Sequence, residues 1–114
     1  MNYKKPTVML LGRFQPFHNG HLALFEKALQ KTGQVCIMVR DTEGIDESNP
    51  FNFTFVKQKI EEKLLPKYEN KFDVILVPNI TNISYGRDVG YSIEEIVLPD
   101  KIQKISATEI RKNL

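Results

Sequence analysis

Apolar residues form three short, nearly unbroken runs, separated by two stretches where they recur about every third or fourth position. The runs are Val8-Met9-Leu10-Leu11 within residues 7–12, Val35-Cys36-Ile37-Met38-Val39 within 34–40, and Phe72 to Val77. Runs of that length, bounded by glycine or polar residues, predict buried strands. Leu22, Phe25, Ala28 and Leu29 lie on one stripe of a helix over 19–32, with Gly33 placed to close it in a left-handed cap. Asn52 can cap a second helix, roughly 53–65, whose apolar stripe is Phe53, Val56, Ile60 and Leu64. Pro66 ends that helix, and Lys57, Lys59, Lys63 and Lys67 mark its wet side. Phe51, Phe53 and Phe55 read as core and loop anchors. Residues 41–52 are polar, contain Gly44 and Pro50, and read as a loop in which Asp41, Glu43, Asp46 and Glu47 are solvated.

The order β-α-β-α-β, with strands apolar on both sides, predicts one Rossmann-like α/β domain over residues 1–114. It has a parallel sheet, right-handed crossovers and helices on both faces. Beyond Pro78 the pattern weakens. Residues 80–85 read as a short strand or loop, and 93–98 as a further strand, with helix over 92–98 as the alternative. Ser106-Ala107-Thr108-Glu109 is a capping-box pattern, so a short helix is expected from about Ala107, with Arg111 in its second turn.

Composition narrows the partners. The chain has 114 residues, 41% apolar and 26% charged, with a formal charge of +2. That charge is small and unclustered, which argues against nucleic acid. No apolar stretch approaches the 18 residues of a membrane span. The single Cys36 fits a reducing compartment. The amino terminus lacks an apolar signal core, so a cytoplasmic protein is expected.

The chemistry concentrates between the first strand and the first helix, in Gly12-Arg13-Phe14-Gln15-Pro16-Phe17-His18-Asn19-Gly20-His21. This is the carboxyl end of a strand, where open α/β sheets bind ligands. It is also a helix N-terminus, whose free N–H groups attract anions. His18 and His21 can each donate an N–H to a phosphate, Gly20 lets backbone approach closely, and Arg13 offers a fork of donors. The same spacing also occurs in plain helix caps and in metal sites, although no Cys or acidic ligand stands adjacent. Residues 105–111, Ile-Ser-Ala-Thr-Glu-Ile-Arg, form a second helix start with two hydroxyls and an arginine, itself either an anion site or a simple cap. Arg87 and Asp88, between Gly86 and Gly90, read equally as ligand contacts or as a surface turn.

The two motifs together resemble the signature of the HxGH nucleotidyltransferase superfamily, the cytidylyltransferase-like fold. His18-Asn19-Gly20-His21 matches H-x-G-H, and Ile105 to Arg111 matches I-S-x-T-x-I-R. The longer G-R-F-Q-P-F-H-x-G-H, with Asn49-Pro50-Phe51, resembles nicotinamide mononucleotide adenylyltransferases of the archaeal type and the related bifunctional bacterial enzymes. Chain size and Ser106-Ala107-Thr108 are equally similar to small cytidylyltransferases of the glycerol-3-phosphate type. The resemblance implies transfer of a nucleotidyl group from a nucleoside triphosphate, ATP first and CTP second, to a phosphate-bearing small molecule, with release of pyrophosphate.

It implies that His18, His21 and Arg111 are catalytic, and that Gly12, Arg13, Phe14, Gly20, Ser106 and Thr108 bind nucleotide. Mg²⁺ is carried by the triphosphate and not by protein ligands. The nucleotide lies above the ends of the first and fourth strands. Arg40, Lys57, Arg87 and Asp88 are candidates for acceptor or nucleotide contacts, and a homodimer is expected by resemblance alone. The chain departs from the adenylyltransferases in two places. The arginine usual after N-P-F is absent, Lys57 being the nearest cation, and no tryptophan exists to stack on a nicotinamide, leaving Tyr85 or Tyr91 for that place. These departures motivate a different reading, a nucleotide-binding module without catalysis.

Overall fold

The computed structural model describes residues 1–41, 49–87 and 90–103. The elements run β1 (Val8–Gly12), α1 (Asn19–Thr32), β2 (Val35–Arg40), α2 (Phe53–Leu64), β3 (Phe72–Val77) and α3 (Asp100–Gln103). The first five fall where the apolar pattern predicts them. α1 stops at Gly33, whose φ of 87° lets its N–H close on Leu29 O. A side chain there would be strained. α2 starts at Asn52, whose Oδ1 accepts from the Phe55 amide at 2.9 Å.

The three strands form a parallel sheet in the order β1-β2-β3. Val8, Val35 and Phe72 lie in one row, and Gly12 pairs with Val39. All three carboxyl ends therefore share one edge, from which residues 13–18 lead into α1. β2 alternates strictly: Val35, Ile37 and Val39 are buried, while Cys36, Met38 and Arg40 are half-buried. The buried set joins Phe25 and Ala28 of α1 and Val56, Ile60 and Leu64 of α2 in one core.

Both long helices thus cover the same face. Sequential strand order with a single crossover hand steps always in one direction, so successive helices stack on one side. The α/β class and parallel sheet are as expected. Among the described residues α1 and α2 cover one face, and the further helix expected from Ala107 lies outside them. On the opposite face Met9 is exposed, and Leu11, Met38 and Ile75 are half-buried.

Residues 80–85 carry no strand, and neither do 93–98. Ile93 and Ile96 are three apart with Glu94 and Glu95 between them, so no strand face collects the apolar side chains. Ile96 packs against the core, and Lys31 Nζ holds Glu94 at 3.1 Å. The chain then enters α3, an element the sequence pattern did not predict, which packs against α1. The helix expected from Ala107 lies outside the described residues.

Candidate active site

The loop from β1 to α1 folds around Phe14. This residue takes a left-handed conformation, φ 53°, sparsely populated by residues with a side chain. The turn buries its ring beneath Gly12, where a Cβ would lie 3.0 to 3.3 Å from three ring carbons. Only glycine fits at that position without a shift. Phe14 meets His21 edge-on, centroids 4.9 Å apart at 82°, and Phe17 stacks on His21 at 5.4 Å. His18 stacks on His21 at 3.8 Å and 19°. Two buried phenyl rings thus seat His21, on which His18 stacks.

Hydrogen bonds fix the orientation of both imidazoles. His18 is the N-cap of α1, and its Nδ1 accepts from the amides of Gly20 (3.0 Å) and His21 (3.4 Å). His21, at N3, accepts from the His18 amide through its own Nδ1 at 3.2 Å. This is a capping box built from two histidines. Because each Nδ1 accepts from a backbone N–H, each ring is neutral and carries its proton on Nε2. Burial pushes the His21 pKa down to about 3, with the neighbouring His18 adding to the shift. Burial also lowers His18, and the charge of Lys63 lowers it further. The pair therefore presents two Nε2–H donors without partners among the described residues, both uncharged at neutral pH.

A second segment braces this loop. Gln15 is buried and forms a two-point clamp on Phe51. Its Nε2 donates to Phe51 O at 2.9 Å, and its Oε1 accepts from the Phe51 amide at 2.9 Å. Arg13 Nη1 donates to Asn49 Oδ1 at 3.3 Å. Asn49-Pro50-Phe51 thus locks the histidine loop to the start of α2, and Phe51 stacks on Phe55 at 4.4 Å.

The sequence-predicted residues separate in space. Gly12, Phe14, Gly20, His18 and His21 converge, with Phe14 packing beneath the imidazoles. Arg13 is exposed beside Asn49. Arg40 ends β2 on the same sheet edge. Its Nη1 reaches Ile80 O at 3.4 Å, and its Nε is buried without a hydrogen-bond partner. Lys57 lines a separate cavity of about 440 Å³ with Tyr3, Glu61 and Asp73, whose walls include none of the motif residues. Arg87, Tyr85 and Tyr91 are exposed. Asp88, Ser106, Thr108 and Arg111 lie outside the described residues.

Two contributors escaped the sequence reading. Gln15 was hidden because a lone glutamine in a loop carries no periodic signal. Lys63, placed among the solvated lysines of α2, instead reaches Asn19 Oδ1 at 2.8 Å, inside the H-x-G-H segment. Its partner lies 44 positions away in sequence, so only the folded helix pair reveals it.

Residues 9–54 match the cytidylyltransferase-like family. Nicotinamide-nucleotide adenylyltransferase from Sulfurisphaera tokodaii is 32% identical, the alignment covering 89% of this chain and 74% of that protein. Nicotinamide-nucleotide adenylyltransferase 1 from Sulfolobus acidocaldarius is 27% identical over 89% of this chain and 73% of its own. A bifunctional NMN adenylyltransferase/ADP-ribose pyrophosphatase from Francisella tularensis, crystallised with AMP and a manganese ion, superposes with a TM-score of 0.52 at 35% identity. That match covers 65% of this chain and only 22% of the larger one. The site geometry and these relatives agree: the chain belongs to the cytidylyltransferase-like nucleotidyltransferases, and within them it is an adenylyltransferase resembling the nicotinamide-nucleotide enzymes.

Proposed function

We propose that the protein transfers the adenylyl group of ATP to nicotinamide mononucleotide and releases pyrophosphate. The observation that carries this reading is the pair of neutral, stacked imidazoles at a helix N-terminus, both Nε2–H groups without a partner among the described residues. A phosphate oxygen of the acceptor attacks the α-phosphorus, and the bond from that phosphorus to the bridging oxygen of the pyrophosphate breaks. The acceptor phosphate is already anionic, so the protein supplies no general base. It holds the reactants in line and stabilises the oxygens that gain charge. His18 and His21 donate to those oxygens, each worth roughly 10²–10³ in rate by comparison with other oxyanion donors. Ser106, Thr108 and Arg111 hold the outer phosphates in this reading, which rests on their match to the second motif.

A divalent cation, Mg²⁺ in this proposal, supplies charge neutralisation on the triphosphate. Among the described residues no three His, Cys, Asp or Glu side chains cluster, and both Nδ1 atoms are engaged by backbone. That donor set fits an ion carried by substrate phosphates better than one in a protein cage. A cytoplasmic homodimer of one-domain chains completes the proposal. The pairing rests on resemblance to small members of the fold, and the compartment on the single, half-buried Cys36.

The test is pyrophosphate release with Mg²⁺, crossing ATP and CTP with nicotinamide mononucleotide, glycerol 3-phosphate and phosphocholine. Release from ATP with nicotinamide mononucleotide is expected. Release only from CTP would reassign the base. Silence from every pair, with ATP still raising the melting temperature, would make the protein a binding module.

A further inference from the structure

We propose that Arg40 holds the phosphoryl group of the acceptor, and so sets both the requirement for a phosphorylated acceptor and the direction of its attack. The inference rests on the nucleotidyl-transfer reading and assigns its second substrate a site. Arg40 is the last residue of the central strand. Its row pairs with Val77, one step beyond the row where Gly12 pairs with Val39, so it stands beside the start of the histidine loop. Side chains alternate along a strand. Val39 faces α1 and α2, whereas Arg40 leaves the sheet on the other side, as Met38 and Cys36 do. The histidines rise from the α1 side. In-line displacement needs nucleophile and leaving group on opposite sides of the α-phosphorus, and the two cationic or donor groups occupy opposite sides of one sheet edge.

The guanidinium is also under-used as it stands. Its hydrogen bond to Ile80 O is long at 3.4 Å, near the limit at which such a bond counts. Its Nε–H is the one buried side-chain nitrogen or oxygen without a partner among the described residues. A phosphoryl group gripped by Nε and one Nη would satisfy that proton and replace the weak carbonyl contact. The guanidinium also offsets the repulsion between an acceptor phosphate and the incoming triphosphate.

The experiment compares binding of phosphorylated acceptors with their dephosphorylated counterparts. The pairs are nicotinamide mononucleotide and nicotinamide riboside, glycerol 3-phosphate and glycerol, and phosphocholine and choline. Each is titrated calorimetrically into the wild-type chain, Arg40→Gln and Arg40→Lys. Wild type is expected to prefer one phosphorylated member at least tenfold. Arg40→Gln should erase that preference, and Arg40→Lys, which keeps the charge but loses the Nε donor, should restore part of it. In the pyrophosphate assay Arg40→Gln should raise the acceptor KM at least tenfold, with a smaller change in kcat and an unchanged melting shift from ATP. An undiminished preference in Arg40→Gln, or wild-type indifference to the phosphate in all three pairs, overturns the assignment. Pyrophosphate release that persists beside such indifference overturns it while leaving the transfer reading intact; silence of the wild type in that assay overturns the reading itself.

Discussion

At the scale of single residues, the structural role of the two histidines and the chemistry proposed for them fall on different ring nitrogens. Nδ1 caps the helix and Nε2 is left for the proposed phosphate contact, so structure and chemistry can be separated by substitution. Asparagine is among the best N-caps, and glutamine at N3 completes a capping box. His18→Asn and His21→Gln should therefore keep the melting temperature within a few degrees of wild type. Each should cost roughly 10²–10³ in kcat, the loss expected for one oxyanion donor. Melting curves beside steady-state rates check both halves. A loss of stability as large as the loss of rate would mean that the imidazoles only hold the helix. Lys63 offers a finer probe. Its charge is the second cause, after burial, of the lowered His18 pKa, so Lys63→Met should move that pKa part of the way back toward 6.5. An NMR titration of the His18 ring proton reads the change directly, and an unmoved pKa would leave burial as its sole cause.

At the scale of elements, the regular part of the chain was legible because each strand and helix carries its own period and its own stop. Gly33, Asn52 and Pro66 punctuate the sequence where the structure turns. The 91–99 stretch was not legible as drawn, since Ile93, Ile96 and Leu98 fit neither period and Ile96 packs against the core. Half of the site was legible as well, through His18-x-Gly20-His21. The double capping role was readable too, for H-x-x-H has the spacing of S-x-x-E, although chemistry was the stronger association. The bracing was hidden, because Gln15 and Phe51 meet only after α2 docks. Glycines at two places separate these effects. At Gly33 nothing lies within 4 Å of an added Cβ, so Gly33→Ala should cost only the left-handed strain, ~1–2 kcal/mol. At Gly12 the Cβ meets the buried Phe14 ring, which Phe17 and His21 hold in place. Gly12→Ala should cost about 1–3 kcal/mol by overpacking and also lower kcat, because the displaced ring supports His21. Urea denaturation with rate measurements on both variants distinguishes them. Equal rates would sever Phe14 from the site.

At the scale of the whole molecule, the buried imidazoles tie folding to pH. The chain has only two histidines, and both have pKa values lowered on folding, His21 to about 3. In the unfolded chain each titrates near its ordinary value of about 6.5. Between those limits the unfolded state binds more protons than the native state, so stability rises with pH there. The contribution is fully present above about pH 6.5 and is lost progressively as the pH falls toward 3. Protonation also places a donor on Nδ1 opposite backbone N–H groups, so charging either ring opens the cap of α1. The carboxylate ion pairs do not produce the same signal. Lys31–Glu94, Lys59–Glu62 and Lys67–Glu26 lie at the surface, where such pairs contribute little. Urea midpoints at pH 7.5 and 5.0 should therefore differ, with the acid value lower. The His18→Asn/His21→Gln double variant, which cannot take up these protons, should lose most of the difference. A double variant as acid-sensitive as wild type would shift the cause to the carboxylates and remove the link between the histidine cap and the stability of the fold.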